Sequence, residues 1–335
     1  MRDGVSLEGQ RALLIAPRFF GYEAEIREEL ERRGASVDFI LDRPFESALM
    51  KALARFARAW VMPVADRYVR AALAEAGTDA YDLILVINGQ TLSRRVVSEM
   101  RRAYPGAQLI LYLWDSARNR SSSVAMTDLF DRVLTFDPMD ARTFGMSFRP
   151  LFYGRGFAIA GVEPPDIDLS FIGTVHTDRY AIASRVVRQL PPGRRAWTYF
   201  YLQAPWVFWV QKLTNRSFSD ARMNEFKFAP LPASTVQDIF RRSLAVLDIE
   251  HPQQTGLTMR TLEALGARKK FITTNAGILE YEFYSPENIL LIDRSDPRLP
   301  ASFLETPYRP LEDAVYYRYS IAGWLDDVIG EGVRK

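Results

Sequence analysis

Apolar residues in the first half of the chain occur in short, uninterrupted runs that alternate with charged segments of helical character. The segment 23–33 is one of these charged stretches, and Gly34 directly after it is a typical helix stop. Short apolar runs that alternate with helices predict βαβ units around a buried parallel sheet. The strands predicted in this half are 11–16, 36–41, 82–87, 108–113 and 132–136.

The same alternation returns in the second half, after a change in composition. Residues 148–165 are rich in proline and glycine, which is typical of a linker. The strands predicted after the linker are 167–172, 244–249, 270–274 and 288–293, with helices at 180–190 and 319–329.

The first half also contains a long helical segment, 46–76. It includes Pro63 and is predicted to kink or break there.

These patterns predict an α/β protein with two Rossmann-like domains, and 335 residues suit two domains of ordinary size. We place the domains at 1–152 and 153–312, followed by a C-terminal helical segment, 313–335, that packs back on the first domain. Open parallel sheets bind ligands beyond the carboxyl ends of their strands. Two facing sheets therefore predict a ligand site in the cleft between the domains.

Charge and composition exclude several classes of function. The chain has 43 Lys and Arg against 41 Asp and Glu, a balance unlike that of a dedicated nucleic-acid binder. It has no cysteine, which excludes disulfides, thiolate metal sites and a cysteine nucleophile. The N-terminus has no apolar segment of signal-peptide length, and the longest aromatic-aliphatic run, 204–210, is too short to span a bilayer. We expect a cytoplasmic protein.

The most informative stretch for chemistry follows the predicted strand 244–249. A polar loop, 251–255, leads into a helix that is predicted to open near Gly256. The backbone N–H groups of Gly256, Leu257 and Thr258 would then lie at the helix N-terminus, where the helix dipole favours a phosphate. Gly256 has no side chain, so a ligand could approach the backbone closely.

Arg260 and Glu263 are three residues apart and share one face of this helix. An arginine near the helix N-terminus can donate two hydrogen bonds to a diphosphate. A glutamate one turn later can accept hydrogen bonds from the two hydroxyls of a ribose. Together with the amide groups, this order matches a nucleoside diphosphate. The alternative is a simple surface ion pair between Arg260 and Glu263.

The segments 255–266, 269–275 and 280–284 resemble the C-terminal donor motif of GT-B glycosyltransferases. They are most similar to the CgeB-like branch and to capsule or lipopolysaccharide biosynthesis enzymes, in which an Arg-x-x-Glu-Ala motif precedes a strand and an aromatic-rich segment. The resemblance covers roughly 240–293, is weaker over 168–180 and is only architectural over 1–150. It implies that Arg260 holds the donor diphosphate, that Glu263 holds the ribose, and that Asn275 to Glu280 line the sugar side.

One position departs from this pattern. Retaining enzymes of this type commonly carry a glutamate eight residues before the ribose-binding one, and the chain has Thr255 there. The substitution favours inversion, although the anomeric outcome stays open.

Both histidines of the chain, His176 and His251, directly follow predicted strands of the second half. Each could be a structural residue, but their shared placement makes them candidates for donor binding. Gly173 and Thr174 stand in the segment expected to form a loop after the strand 167–172, where they could contact phosphate.

The N-terminal half is expected to supply the acceptor site and the general base. Asp115 follows a predicted strand, so its carboxylate could accept the proton of an attacking hydroxyl. Glu23 is the rival, and Asp137 and Asp140 are weaker candidates. For all four, capping or loop hydrogen bonds are the ordinary alternative. No aspartate pair has the setting of a metal-dependent transferase, so we expect neither a metal nor a cofactor.

An aromatic cluster at 197–209 lies outside this scheme. Trp206, Trp209, Val210 and Leu213 recur at helical spacing, which is most often the sign of core packing. The alternative is an interfacial patch that makes peripheral contact with a membrane carrying a lipid-linked acceptor.

The residues predict a nucleoside-diphosphate site, and the resemblance to GT-B enzymes implies a metal-independent glycosyltransferase of cell-envelope biosynthesis. Its partners would be a nucleotide-sugar donor, a UDP-sugar above all, and a glycan, lipopolysaccharide or lipid-linked acceptor at the inner face of the membrane. Two alternatives stay open: a sugar-nucleotide epimerase, which shares the two-sheet architecture, and a non-catalytic sugar-nucleotide or glycan-binding protein of surface-coat assembly.

Overall fold

The structure, a computed structural model, describes residues 4–42, 58–75, 80–119, 121–158, 164–252 and 255–330. These residues form two compact units. The first comprises the described residues up to Leu151 and from Ile321 onward, and the second is Phe152–Ser320. Residues 46–57 of the long predicted helix, 159–163 of the linker, and Gln253 and Gln254 of the polar loop lie outside the described ranges.

The first unit is built on a parallel sheet with the order β2-β1-β3-β4-β5-β6. Its strands are β1 Arg11–Ala16, β2 Ser36–Leu41, β3 Leu83–Ile87, β4 Gln108–Leu113, β5 Arg132–Thr135 and β6 Ser147–Phe148. Its helices are α1 Tyr22–Arg32, α2 Arg58–Glu75, α3 Arg94–Ala103, α4 Ser121–Val124 and α5 Pro138–Phe144. All five residues of β3 are buried, as expected of a central strand covered on both faces.

The second unit has a parallel sheet with the order β9-β8-β7-β10-β11-β12. Its strands are β7 Ile167–Thr174, β8 Ala196–Tyr201, β9 Phe226–Lys227, β10 Ser243–Asp248, β11 Lys270–Thr273 and β12 Ile289–Leu291. Counted within this unit, the order is 3-2-1-4-5-6, that of a dinucleotide-binding Rossmann fold. The sequence therefore predicted the fold class of each half correctly.

Helices connect the strands of the second unit. They are α6 Arg179–Val187, α7 Pro205–Thr214, α8 Ala233–Arg242, α9 Met259–Gly266, α10 Ala301–Glu305 and α11 Asp313–Arg318. The aromatic segment that follows Arg195 forms β8, a strand that the hydrophobic pattern did not predict. Aromatic rings from β7, β8 and β9 meet in the core of this unit, among them those of Phe171, Phe200 and Phe226.

The last helix, α12 Ile321–Ile329, belongs to the first unit. The ring of Trp324 is fully buried and meets the ring of Tyr112 on β4 edge to face, with the centroids 4.9 Å apart. Arg33 ties the same helix to α1, because its guanidinium binds both Glu29 and Asp326. The helix predicted at 319–329 thus begins at Ile321, two residues later than expected.

Replacing Trp324 by alanine should remove much of the packing between α12 and β4. A buried aromatic side chain cut back to alanine costs about 3–5 kcal/mol of unfolding free energy. Trp209→Ala is the matched control, because that ring is exposed and its loss should change stability by no more than about 0.5 kcal/mol. Denaturant unfolding of the two variants measures the difference. Equal effects would contradict the packing described for α12.

Candidate functional site

The strand order of the second unit reverses between β7 and β10, and this reversal defines where a ligand binds in such sheets. Ligands of open parallel sheets occupy the crevice beyond the carboxyl ends of the strands at that switch point. The register brings the ends of β10, β11 and β12 level, since Asp248 lies opposite Thr273 and Thr273 opposite Leu291. The loops after β7, β10, β11 and β12 therefore meet at one edge.

The start of α9 lies at this edge, but not where the sequence predicted it. The N-cap is Thr258, and the helix begins at Met259 rather than near Gly256. The hydroxyl of Thr258 accepts the N–H of Thr261 and donates to Asp248 at 2.6 Å, which fastens the helix to the end of β10. The backbone groups that face outward from the first turn are therefore those of Met259 and Arg260, which have no acceptor inside the helix.

Gly256 and Leu257, predicted to open the helix, instead lie in the loop before it and are buried, whereas Thr255 is exposed. The amide of Asn275, after β11, reaches the carbonyl of Gly256 at 3.5 Å. The side-chain oxygen of Asn275 also accepts the N–H of Gly277 and caps the turn Ala276–Glu280, at whose end Glu280 is exposed. Asn275 thus connects the loops after β10 and β11.

Arg260 and Glu263 form an ion pair, with 2.7 Å between the guanidinium and the carboxylate. This is the contact that the alternative interpretation of the motif predicted. The Glu263 carboxylate is almost completely buried, and the Arg260 guanidinium also lies over the ring of Phe240 on α8, 5.1 Å from its centroid. A buried carboxylate is costly unless it is paired, and Arg260 supplies the partner for Glu263 beside the first turn of α9.

Arg179, the first residue of α6, places a second guanidinium at the switch point. One of its terminal nitrogens donates to the carbonyl of Thr174 at 3.1 Å, while its buried Nε has no hydrogen-bond partner among the described residues. Burial lowers the pKa of Arg179, and the charges of Asp248 and Glu250 oppose that effect. A buried donor without an acceptor is rare in folded proteins, so this nitrogen is available to donate to a ligand or a water.

Arg294, three residues after β12, links the loops of the edge to one another. It donates to both carboxylate oxygens of Asp178, at 2.7 and 2.9 Å, and to the carboxylate of Glu250 at 2.9 Å. Burial acts to raise the pKa of Asp178, but the hydrogen bonds from Arg294 outweigh it and the pKa lies below its usual value. Thr274, after β11, donates to the other oxygen of Glu250.

The two histidines, predicted from their shared placement, lie side by side at this edge. Their ring centroids are 5.7 Å apart. Burial, together with the charge of Arg179 and the neighbouring ring of His251, lowers the pKa of His176 to about 4. His176 is therefore neutral at pH 7 and can offer a ligand one donor and one acceptor nitrogen.

Gly173 and Thr174 occupy a different place from the predicted one. β7 continues through Thr174, and both residues pair with β8, opposite Phe200 and Tyr201. They are strand residues, and the loop at this edge begins only at Val175. The prediction of a loop here was wrong because the apolar run ends at Ile172, whereas the strand ladder continues for two more residues.

In the first unit, Asp115 follows the end of β4 and is oriented by a neighbour. Asn88, after β3, donates from its amide to the Asp115 carboxylate at 3.0 Å, and its oxygen accepts the N–H of Trp114. The backbone of Asn88 adopts φ = 62°, in the left-handed region that asparagine tolerates better than most residues. Asp115 is thus a half-buried carboxylate held at the carboxyl edge of the first sheet.

The other acidic candidates of the first unit have structural contacts. The carboxylate of Glu23 accepts the N–H of Phe19 at 3.0 Å and closes the loop after β1. Asp137 caps α5 through the N–H groups of Met139 and Asp140, and Asp140 itself accepts the N–H of Ala117. These are the capping bonds that the alternative interpretation of these residues predicted. Among the described residues, no group of three or more acidic and histidine side chains is arranged to hold a metal ion.

Three residues at the carboxyl edge of the second sheet were not predicted from the sequence: Asp178, Arg179 and Arg294. Each lies within six residues after the end of a strand, the same kind of position that made Asp115 and the histidines candidates. Their partners lie far away in sequence, however, and Arg294 meets Asp178 over 116 positions. No local spacing identifies such a cluster.

Comparison with known proteins gives a fold match without a sequence match. No family model matches the chain, and no curated protein matches its sequence. The structure of Anabaena HepE in complex with UDP-glucose aligns with a TM-score of 0.57 at 12% identity, over 96% of this chain and 98% of HepE. A glycosyltransferase from Rickettsia africae aligns with a TM-score of 0.50 at 8% identity, over 95% and 91% of the two chains.

At such low identities the similarity establishes the architecture. Both halves of the chain have the parallel sheets of this architecture, and the second has its Rossmann strand order. The chain therefore has the GT-B fold of two Rossmann-like domains.

Proposed function

We propose that the protein is a glycosyltransferase that moves a sugar from a nucleotide-sugar to a glycan acceptor without using a metal ion. The observation that carries this proposal is the half-buried Arg179, whose buried Nε has no hydrogen-bond partner among the described residues, at the switch point of a GT-B fold. That position suits the diphosphate of a bound donor. HepE, which shares the fold, has been solved with UDP-glucose, which supports uridine as the base.

The diphosphate would be bound by Arg179 together with the first turn of α9. Arginine binds phosphate oxygens through charge-assisted hydrogen bonds, and the N–H groups of Met259 and Arg260 add the positive end of the helix dipole. His176, neutral at pH 7, would contribute a hydrogen bond without a charge. Arg294 would act indirectly, since its bonds to Asp178 and Glu250 hold the loops from which Arg179 and His176 project.

The ribose would be bound by Glu263, as the resemblance of the Arg-x-x-Glu-Ala motif implies. The ion pair with Arg260 changes the roles that the sequence predicted for these two residues. Arg260 orients the Glu263 carboxylate through the ion pair, so the two act as one unit rather than as independent contacts. Asn275 and Glu280, in the turn after β11, would line the sugar side.

In the reaction, a hydroxyl oxygen of the acceptor forms a bond to the anomeric carbon as the bond from that carbon to the diphosphate breaks. Asp115 would take the proton of the hydroxyl, as a general base positioned by Asn88. The negative charge that develops on the leaving diphosphate would be stabilised by Arg179 and the α9 N-terminus. Glu23 is the weaker base, because its carboxylate already closes the loop after β1.

The acceptor class that we propose is a surface polysaccharide, lipopolysaccharide or lipid-linked glycan, made on the cytoplasmic side of the membrane. Its support is the resemblance of residues 240–293 to CgeB-like and capsule biosynthesis enzymes.

Loss of Arg179 should weaken binding of UDP. A charge-assisted hydrogen bond contributes about 1.5–3 kcal/mol, so Arg179→Met should raise the Kd for UDP about 10–100-fold by calorimetry. Arg309→Met is the control, because this arginine of the same unit is exposed and should bind UDP like the wild type. If both variants bind UDP as tightly as the wild type, Arg179 does not hold the diphosphate.

Arg260 and Glu263 should show strong coupling in donor binding. Removal of either partner leaves the other without its counter-charge, so Arg260→Met and Glu263→Gln should each weaken UDP binding. Because the two losses overlap, the double variant should fall short of their sum by about 1 kcal/mol or more. Additive effects in this double-mutant cycle would show that the two side chains act independently, as the sequence alone predicted.

Asp115→Asn should separate catalysis from donor binding. We expect kcat for UDP release from UDP-glucose, measured with a panel of glycan acceptors, to fall about 100-fold or more, with the Kd for UDP unchanged. Glu23→Gln is the matched comparison and should lose far less. A larger loss in Glu23→Gln would reverse the assignment, and an altered sugar-nucleotide formed from the donor alone would indicate an epimerase instead.

A further inference from the structure

Helix α7 is apolar on nearly all sides although it lies on the protein surface. Its sequence, PWVFWVQKLT, contains one charged residue, Lys212, and no acidic one. Phe208 points inward and packs on Phe226 in the core of the unit. A helix that is hydrophobic all round is normally buried, so the outward face of α7 needs a different explanation.

That outward face consists of four large apolar side chains at helical spacing. Trp206, Trp209, Val210 and Leu213 are 68%, 56%, 46% and 85% exposed. Core packing, the more common meaning of such spacing, is therefore the wrong interpretation of these four residues. Together they form a contiguous apolar stripe, which we call the α7 stripe. Contiguous exposed apolar surface of this kind marks contact with a partner or a membrane.

The charge of the chain segment that contains the α7 stripe favours an anionic partner. Residues 179–219, which contain α6, β8 and α7, carry seven arginines and lysines and no aspartate or glutamate. Arg188, Arg195 and Arg216 of this segment are exposed. Three acids near this segment in sequence are already bound. Asp178 is bound to Arg294, Asp168 to Arg194, and Glu225 to Tyr180 and the backbone of Arg222. Asp220, directly after the segment, is exposed.

Lys212, the only charge on α7, has no carboxylate partner in the part of the chain that the structure describes. Its ammonium group donates to the carbonyls of Ser219 and Ala221, at 2.6 and 2.8 Å. These bonds fold the segment after α7 back beside the helix, so Arg216 stays close to the α7 stripe. The surface thus combines exposed tryptophans with a positive field, a combination that favours the headgroup region of an anionic bilayer.

We propose that α7 is a membrane-docking helix that lies in the plane of an anionic lipid surface, with the α7 stripe inserted among the headgroups. Tryptophan suits this depth because its ring is apolar while its N–H can reach a polar partner. No helix in the described part of the chain is long and apolar enough to cross a membrane, so the contact would be peripheral. The inference is independent of the donor site, since it rests on the exposed face of α7 and the charges around it.

The test is sedimentation of the full chain with lipid vesicles, without any nucleotide-sugar. We expect binding to equimolar phosphatidylglycerol and phosphatidylcholine vesicles, much weaker binding to phosphatidylcholine alone, and weaker binding at high salt because the field is screened. The variant Trp206→Ser with Trp209→Ser should reduce the partition coefficient by about tenfold or more. Both side chains are exposed, so the melting temperature of this variant should match that of the wild type.

Phe144→Ser is the matched control, because it removes an exposed aromatic ring that belongs to the first unit and is not part of the α7 stripe. It should bind vesicles like the wild type. Two results would overturn the proposal: no binding to anionic vesicles, or equal binding by the double tryptophan variant and the wild type. Concentration-dependent dimerisation that the double variant abolishes, without vesicle binding, would show that the stripe serves a second copy of the chain.

Discussion

A single guanidinium, that of Arg294, connects the parts of the C-terminal sheet on which the proposed chemistry depends. Parallel strands bring all their carboxyl ends to one edge, and in this chain that edge collects Asp178 from the loop after β7 and Glu250 from the loop after β10. Two carboxylates so placed would repel each other and push the loops apart. Arg294 binds both, and thereby joins the loop after β12 to the two loops that flank the switch point. Arg179, His176 and the start of α9 all project from backbone that this contact holds.

The fold could be predicted from the sequence because the central strands of both sheets are buried on both faces. Burial turns their strands into apolar runs such as 83–87 and 108–113, and the alternation with helices fixes the parallel topology. The predictions failed for strands that are not apolar runs. β8 reads Ala-Trp-Thr-Tyr-Phe-Tyr, in which only Phe200 is buried, so it did not stand out as an apolar run. The extension of β7 through Gly173 and Thr174 depends on pairing with this same unrecognised strand.

The site was predictable where its residues are neighbours along the chain and not where they are neighbours only in space. The motif at Arg260 and Glu263 and the pair of histidines are local features, and the structure places both at the expected edge. The ion pair between Arg260 and Glu263, however, changes the role proposed for each residue, because the arginine orients the glutamate carboxylate before a ligand binds. The position of Arg179 beside Asp248 and Glu250 depends on the order of the strands, which the sequence does not display. The outward direction of the α7 stripe likewise depends on which face of the helix Phe208 buries.

The central claim is that a nucleoside diphosphate binds at the switch point of the C-terminal sheet. A crystal structure of the protein in complex with UDP tests it most directly. The account predicts diphosphate oxygens about 2.7–3.2 Å from the Arg179 guanidinium and from the N–H groups of the first turn of α9, with the ribose against Glu263. UDP bound elsewhere, with Arg179 still directed only at the carbonyl of Thr174, would contradict it.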